Sequence, residues 1–346
     1  MAYISFQPND FFNTKLWTGT GSENAITGIG FQPDFTWIKN RAATENHKLY
    51  DAVRGVTKNI YSNLTNAEGT DAQSLKSFDS DGFTLGTESA LNANGQNIVG
   101  WNWKANGAGS ANTDGSINTT STSVNTTAGF SISKYTGTGS AATVGHGLGS
   151  APEVIIVKRL DSTSDWSMYW KVLGTNKYIY LNDTAAVATD SSSEFWNNTA
   201  PTSTVFSVKS AAYTNGSGNT YVAYCFAPKT GFSKFGEYAG NGNDDGPFIY
   251  TGFKPAMIIL KRKDSADGWF MYDTKRSPIN VMDDYLLTNA NSAEVGTSAV
   301  NIDFVSNGFK LRNDDGGHNN SSGTYIYLAF AEEPLVASNG TPATAR

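Results

Sequence analysis

Three histidines, His47, His146 and His318, are the residues best suited to acid–base or nucleophilic chemistry in this 346-residue chain. None has beside it the serine or aspartate arrangement of a nucleophile elbow, and the single cysteine, Cys225, rules out an intramolecular disulfide and a thiolate-rich zinc site. His146, in Gly145-His146-Gly147-Leu148-Gly149, reads as a turn before a strand, and Cys225, between Tyr224 and Phe226, reads as a small buried residue. The strings Gly19-Thr20-Gly21, Gly137-Thr138-Gly139 and Gly240-Asn241-Gly242 lack the third glycine and the following helix of a phosphate loop, so they read as β-turns. Asp79-Ser80-Asp81-Gly82, Asn241 to Gly246 and Asn313 to Gly316 are rich in calcium-type oxygens. The second has Gly252 where a calcium loop needs its twelfth, acidic ligand, and Asn307-Gly308 fills the slot of Asp81-Gly82 in a later copy. Asp-Gly and Asn-Gly are interchangeable in a tight turn but not as ligands, so turns are expected and bound calcium is the alternative. Trp166, Trp196 and Trp269 are candidates to stack on sugar rings, against the alternative that a β core consumes them. No catalytic, metal or cofactor-binding residue is assigned.

These residues sit in a chain organised by an internal repeat. Trp17-Thr-Gly-Thr-Gly-Ser22, Tyr135-Thr-Gly-Thr-Gly-Ser140 and Tyr238-Ala-Gly-Asn-Gly242 open three similar segments. Each continues to a proline, Pro33, Pro152 or Pro255, and then to a lysine six positions on, Lys39, Lys158 or Lys261. Tyr50, Tyr169 and Tyr272 stand seventeen residues after the prolines, with His47, Trp166 and Trp269 three residues before them. Each segment closes on an alternating strand: Val99 to Trp103, Val222 to Phe226 and Ile326 to Phe330. Period-two alternation sends the large side chains Trp101/Trp103, Tyr224/Phe226 and Leu328/Phe330 to one face, expected to be the core of their own unit.

Low charge (16%), 35 glycines and many aromatic residues suit short strands and turns, and no segment keeps a helical apolar period. The fold class expected is all-β: three tandem β-sandwich (jelly-roll-like) repeat units. Their boundaries are 15–105, 128–228 and 229–334. A Gly/Ser/Thr/Asn linker spans 106–127, an N-terminal anchoring segment 1–14, and a flexible tail 335–346. Tyr3, Phe6, Phe11 and Phe12 in the first of these either pack on the first unit or dock on a partner. Net charge −6 and pI about 5.1 give no basic footprint for nucleic acid. The aliphatic runs are far shorter than the roughly 20 residues of a membrane span, and residues 1–14 do not read as a secretory leader. Asn63, Asn182 and Asn215 begin glycosylation-type triplets that then reflect composition alone.

The strings Tyr135-Thr-Gly-Thr-Gly-Ser140, Gly30-Phe-Gln-Pro-Asp-Phe-Thr-Trp-Ile-Lys-Asn-Arg41, Phe78-Asp-Ser-Asp-Gly-Phe83 and Trp101-Asn-Trp-Lys-Ala105 resemble a repeat domain of tailed bacteriophages, especially marine ones. Proteins of that kind are virion structural or tail-fibre-like proteins. The resemblance covers residues 1–333; the second copy departs from it by two extra residues before Pro152 and by losing the Asp-Gly turn. It carries no catalytic residues and no cofactor. It implies a non-enzymatic virion protein at the particle surface, made in the cytoplasm of an infected bacterium. Its partners would be other tail or capsid proteins, further copies of itself (a trimer), and a host surface glycan. The leading expectation is a tail-fibre or adhesin component that attaches the particle to its host. The alternative is capsid decoration (head fibre or cement) or a tail structural role without a receptor, and a virion-borne glycan hydrolase comes last.

Overall fold

The computed structural model describes residues 6–334 together with Val336 and Ala343. Tyr3 and nearly all of the expected C-terminal tail lie outside the described residues. The chain is all-β and antiparallel: its α-helices among the described residues are two single turns, Ser89–Asn92 and Gly316–Asn319. Three large sheets dominate, and their strand order recurs. In the first sheet Phe12–Thr18 pairs with the closing strand Asn97–Trp103, which pairs with Phe35–Asn40 and that with Lys48–Asp51. The second sheet runs Phe130–Thr136, Thr220–Phe226, Val154–Arg159, Ser167–Trp170, and the third runs Ser233–Ala239, Thr324–Pro334, Phe253–Arg262, Trp269–Asp273. In each case the strand that ends the segment inserts between its first and its proline-led strand. A small sheet covers one face of each large one, led by Asn24–Thr27, Ala142–Gly145 and Phe248–Tyr250.

Both faces of the central strands are buried. Ile38, Tyr50 and Ile98 face Ile26, Phe83 and Leu85 of the first small sheet, and the other segments have matching outer cores. The opposite faces do not fill cores of their own. Trp37, Trp101 and Trp103 join Ile156, Trp166, Tyr224 and Phe226 and then Ile259, Leu328 and Phe330 in one cluster common to all three segments. This corrects the expectation that Trp101/Trp103, Tyr224/Phe226 and Leu328/Phe330 point into separate unit cores. Alternation decides which side chains share a face; it does not say what covers that face.

The three segments are bonded into a closed ring. The amide of Glu68 donates to the carbonyl of Leu160 (2.8 Å), that of Val187 to Lys263 (2.9 Å), and that of Glu294 to Arg41 (2.9 Å), which links first to second, second to third and third to first. A second set runs the other way through the shared slot. His47 Nε2 donates to the carbonyl of Leu287 (3.0 Å), Trp166 Nε1 to Tyr61 (2.8 Å) and Trp269 Nε1 to Tyr180 (3.0 Å). His47 Nδ1 accepts from Trp37 Nε1 at 2.9 Å, so the ring proton sits on Nε2, and burial holds this histidine well below its ordinary value, as a neutral ring.

The lysines that end the proline-led runs are also buried at this boundary. Lys158 Nζ donates to Ser164 (2.6 Å) and across the junction to Thr65 (2.9 Å); Lys39 and Lys261 donate to carbonyls of their own turns. Burial pushes each from 10.5 down to about 8. Between these values the unfolded chain binds more protons than the folded one, so stability should rise with pH. From pH 7.5 to 9.5 each lysine should add about 1–2 kcal/mol, while the buried Cys225 thiol, whose pKa burial raises, opposes by about 1.4 kcal/mol. The tyrosines that burial raises oppose as well, each by about 0.2 kcal/mol by pH 9.5, and they reverse the trend above that pH. A net gain of about 1–2 kcal/mol is expected in urea unfolding at the two pH values; a falling midpoint would refute it.

Two expectations change at the periphery. The stretch 106–127 is not a bare connector: Ser121–Asn125 is an edge strand on Phe130–Lys134, tied by Thr119–Thr122 and Thr122–Ser133 hydroxyl contacts of 2.9 and 3.0 Å. Its threonines supply β-propensity and side-chain hydrogen bonds that a Gly/Ser composition conceals. Of the N-terminal aromatics, Phe6, Phe11 and Phe12 pack on this chain and reach beyond the first segment. Phe6 and Phe11 meet Phe232 edge-on at 5.8 and 6.3 Å, and Phe12 stacks on Phe330 at 5.2 Å, so the segment seals the first–third junction.

Candidate functional site

The opening turns are built for structure. A Cβ at Gly19, Gly137 or Gly240 would lie 2.1, 2.4 or 2.3 Å from a carbonyl oxygen of the loop before the closing strand. Gly21, Gly139 and Gly242 take φ of 70°, 73° and 64°, the left-handed region that favours glycine. Each turn is held by a buried asparagine that the sequence reading missed. Asn92 accepts from the amide of Thr20 and donates to Ser22 and Gly86; Asn215 does the same with Thr138, Ser140 and Lys209, and Asn319 with Asn241, Asn243 and Asn313. All three stand eleven residues before the last aromatic of the closing strand (103−92, 226−215, 330−319). Asn215, which opens a glycosylation-type triplet, is fully buried.

The oxygen-rich loops spend their side chains the same way. Asp81 accepts from the amides of Gly28 (2.9 Å) and Gly30 (2.6 Å), Asn241 from Asn243 (3.1 Å), Asn243 from Asp245 (2.8 Å), and Asn313 from Asp315 (3.0 Å). Among the described residues no three His, Cys, Asp or Glu side chains converge as an ion site.

Asp315, His318 and Tyr272 are lined up like a proton relay, with His318 3.2 Å from Asp315 Oδ1 and 2.8 Å from the tyrosine hydroxyl. The hydroxyl, however, donates to the carbonyl of Val300 at 2.7 Å, and His318 and Tyr272 are fully buried, so no substrate reaches the end of the chain. His146 is spent on backbone contacts to Leu148 and Thr202.

The three tryptophans offered for sugar stacking are buried too. Trp166, Trp196 and Trp269 are at most 1% exposed, the first and third inside the common core and Trp196 against Tyr169 in the second outer core. This is a correction. A ring whose faces are packed by protein cannot meet a saccharide.

The exposed aromatics lie elsewhere. Phe248 and Tyr250 are 48% and 51% exposed, on the outward face of the third small sheet. The inward residue between them, Ile249, pairs with Phe309 as Ile26 pairs with Phe83 and Val144 with Phe206. Through that register Phe248 corresponds to Ala25 and Thr143, and Tyr250 to Thr27 and Gly145. Only the third segment replaces small outward residues with rings. Beside them, Lys234 Nζ donates to the Tyr250 carbonyl (2.7 Å) and lies 5.2 Å from its ring, at the wall of a groove of about 330 Å³. A strand of three residues is too short for alternation to show in sequence, and exposed and buried aromatics look alike there.

Residues 7–334 match, as one continuous domain, the family described as a domain of unknown function, DUF7483. The chain belongs to this family. Because the DUF7483 match spans all three segments, the closed ring and not a single segment is the unit of the family. No curated protein and no solved structure matches the chain.

Proposed function

We propose that this DUF7483 protein is a non-enzymatic structural component of a tailed-bacteriophage particle, an attachment module that touches the host through its third segment. The sequence strings that resemble virion and tail-fibre-like proteins support the particle setting. The observation that carries attachment is the asymmetry of the ring: the three histidines, the repeat lysines Lys39, Lys158 and Lys261 and most tryptophans are built into its interior, while Phe248 and Tyr250 stand outward on one segment only. The large sheets bury one another within one chain, so a homotrimer is not needed to cover them, and contacts to further copies or to tail and capsid proteins fall on the remaining outer surface.

Capsid decoration or a structural tail position is the second reading, favoured by the ring's three near-equivalent junctions, which suit a threefold site on a shell. Purified protein should bind host cells and compete with particle adsorption, and particles lacking it should adsorb poorly. If depleted particles adsorb normally but break more easily under mechanical or osmotic stress, decoration replaces attachment.

A further inference from the structure

We propose that Lys234, Tyr250 and Phe248 form a binding site for an acidic saccharide, with sugar rings on the two aromatic platforms and a carboxylate on the Lys234 ammonium. This names a ligand class for the attachment reading and rests on it. Lys234 carries three N–H donors, of which one is spent on the Tyr250 carbonyl at 2.7 Å. Among the described residues no carboxylate lies within 4.0 Å of it, whereas Lys310, opposite Phe248 on the neighbouring strand, is paired with Asp245 at 2.8 Å. Its counterparts on the opening strands of the other segments, aligned through the closing strand, are Asn13 and Ser131. A cation and two rings therefore appear together in one segment, at positions where the other two segments have neither.

The surroundings suit a sugar. Phe248 lies across Gly308, where an added Cβ would meet Cε2 of its ring at 2.9 Å, and about half of the side chain stays exposed. Side chains two apart on a strand are roughly 6.8 Å apart along it, which places the two platforms side by side. The groove, about 330 Å³ and bordered by Lys234 and Tyr250, is at the small end of ligand pockets, with a wall of mixed polar and apolar surface and room for one terminal sugar. Exposed rings on the outside of a small sheet add nothing to the fold that Ala25 and Thr27 do not already supply in the first segment.

The test uses the full chain in calorimetric titrations. The probes are carboxylate-bearing oligosaccharides (oligogalacturonate, alginate and hyaluronan fragments), with maltohexaose and inorganic phosphate as controls. At least one acidic oligosaccharide should bind, tenfold or more above maltohexaose, and bind more weakly as salt rises. Lys234→Gln and Tyr250→Ala should each lose tenfold or more, Lys234→Arg should keep most of the affinity, and Lys76→Gln, remote on the first segment, should change nothing. Unchanged melting temperatures show that the variants fold, as half-exposed positions should allow. The site is refuted if no acidic oligosaccharide binds, if maltohexaose or phosphate binds as well, or if Lys234→Gln and Tyr250→Ala titrate like the parent. If these two variants still adsorb to host cells like the parent, attachment stands and this site falls. If the parent itself ignores host cells, attachment falls and the titration alone judges the site.

Discussion

Arg54→Leu should lower the unfolding free energy by about 3–5 kcal/mol, because it strands a buried carboxylate inside the first segment. Arg54 Nε meets Asp51 at 2.5 Å, its Nη1 reaches Glu68 at 3.3 Å, and its remaining donors reach the carbonyls of Lys58 and Leu49. Tyr224 of the second segment donates to the same Asp51 at 2.7 Å. The third segment repeats the arrangement with Asp273, Arg276 and Glu294, and there Trp101 of the first segment is the donor to Asp273, at 3.1 Å. In the second segment the equivalent positions are Trp170, Leu173 and Val187, with Leu328 in the place of Tyr224. The chain thus contains its own control: the same junction is built twice with buried charge and once with apolar side chains. Transplanting that set as Asp51→Trp, Arg54→Leu, Glu68→Val and Tyr224→Leu should return stability to within about 2 kcal/mol of the parent or above it, since well-packed apolar groups often replace a buried ion pair without loss. Urea midpoints at unchanged slope measure both variants. A quadruple variant no more stable than Arg54→Leu would mean that the junction depends on its charges for specific packing.

The spacing of Lys39/Lys158/Lys261 and of Tyr50/Tyr169/Tyr272 was legible because each anchor lies within a short stretch of its own segment. What these residues bond to was not. Trp166 donates to Tyr61 and Trp269 to Tyr180, partners about a hundred positions away, and linear spacing carries no information on which segment lies alongside. The exchange of Asp51/Arg54/Glu68 for Trp170/Leu173/Val187 looked like loss of similarity, although it is one compensated replacement. Asn92, Asn215 and Asn319 were hidden because a polar residue near glycines reads as solvated turn, and only the three-dimensional turn shows its side chain enclosed by backbone. The aromatic patch failed for a related reason: Trp166 and Tyr250 differ in exposure, not in type.

Phe330→Ala tests how far the ring is one body. Its ring lies 5.2 Å from Phe12 and 5.4 Å from Trp103 of the first sheet, 5.8 Å from Phe226 of the second, and 5.9 and 6.2 Å from Phe232 and Phe235 beside it. It also borders a central cavity of about 20 Å³ with apolar walls, which has no polar partner to hold a water. Truncating a buried Phe costs about 3–5 kcal/mol through lost transfer energy and the cavity left behind. The size of the melting shift then depends on how much chain unfolds with it. Unfolding entropy is about 2.1 cal/mol/K per residue, so a cooperative body of roughly 330 residues should lose about 4–7 °C, and a lone segment of roughly 100 residues about 15–25 °C. The common core and the circular hydrogen bonds between segments predict the smaller shift in a single calorimetric transition. Two or more transitions, with only one displaced by the larger amount, would show that the third segment holds its own core after all. It would also weaken the ring as the rigid body from which Phe248 and Tyr250 face outward.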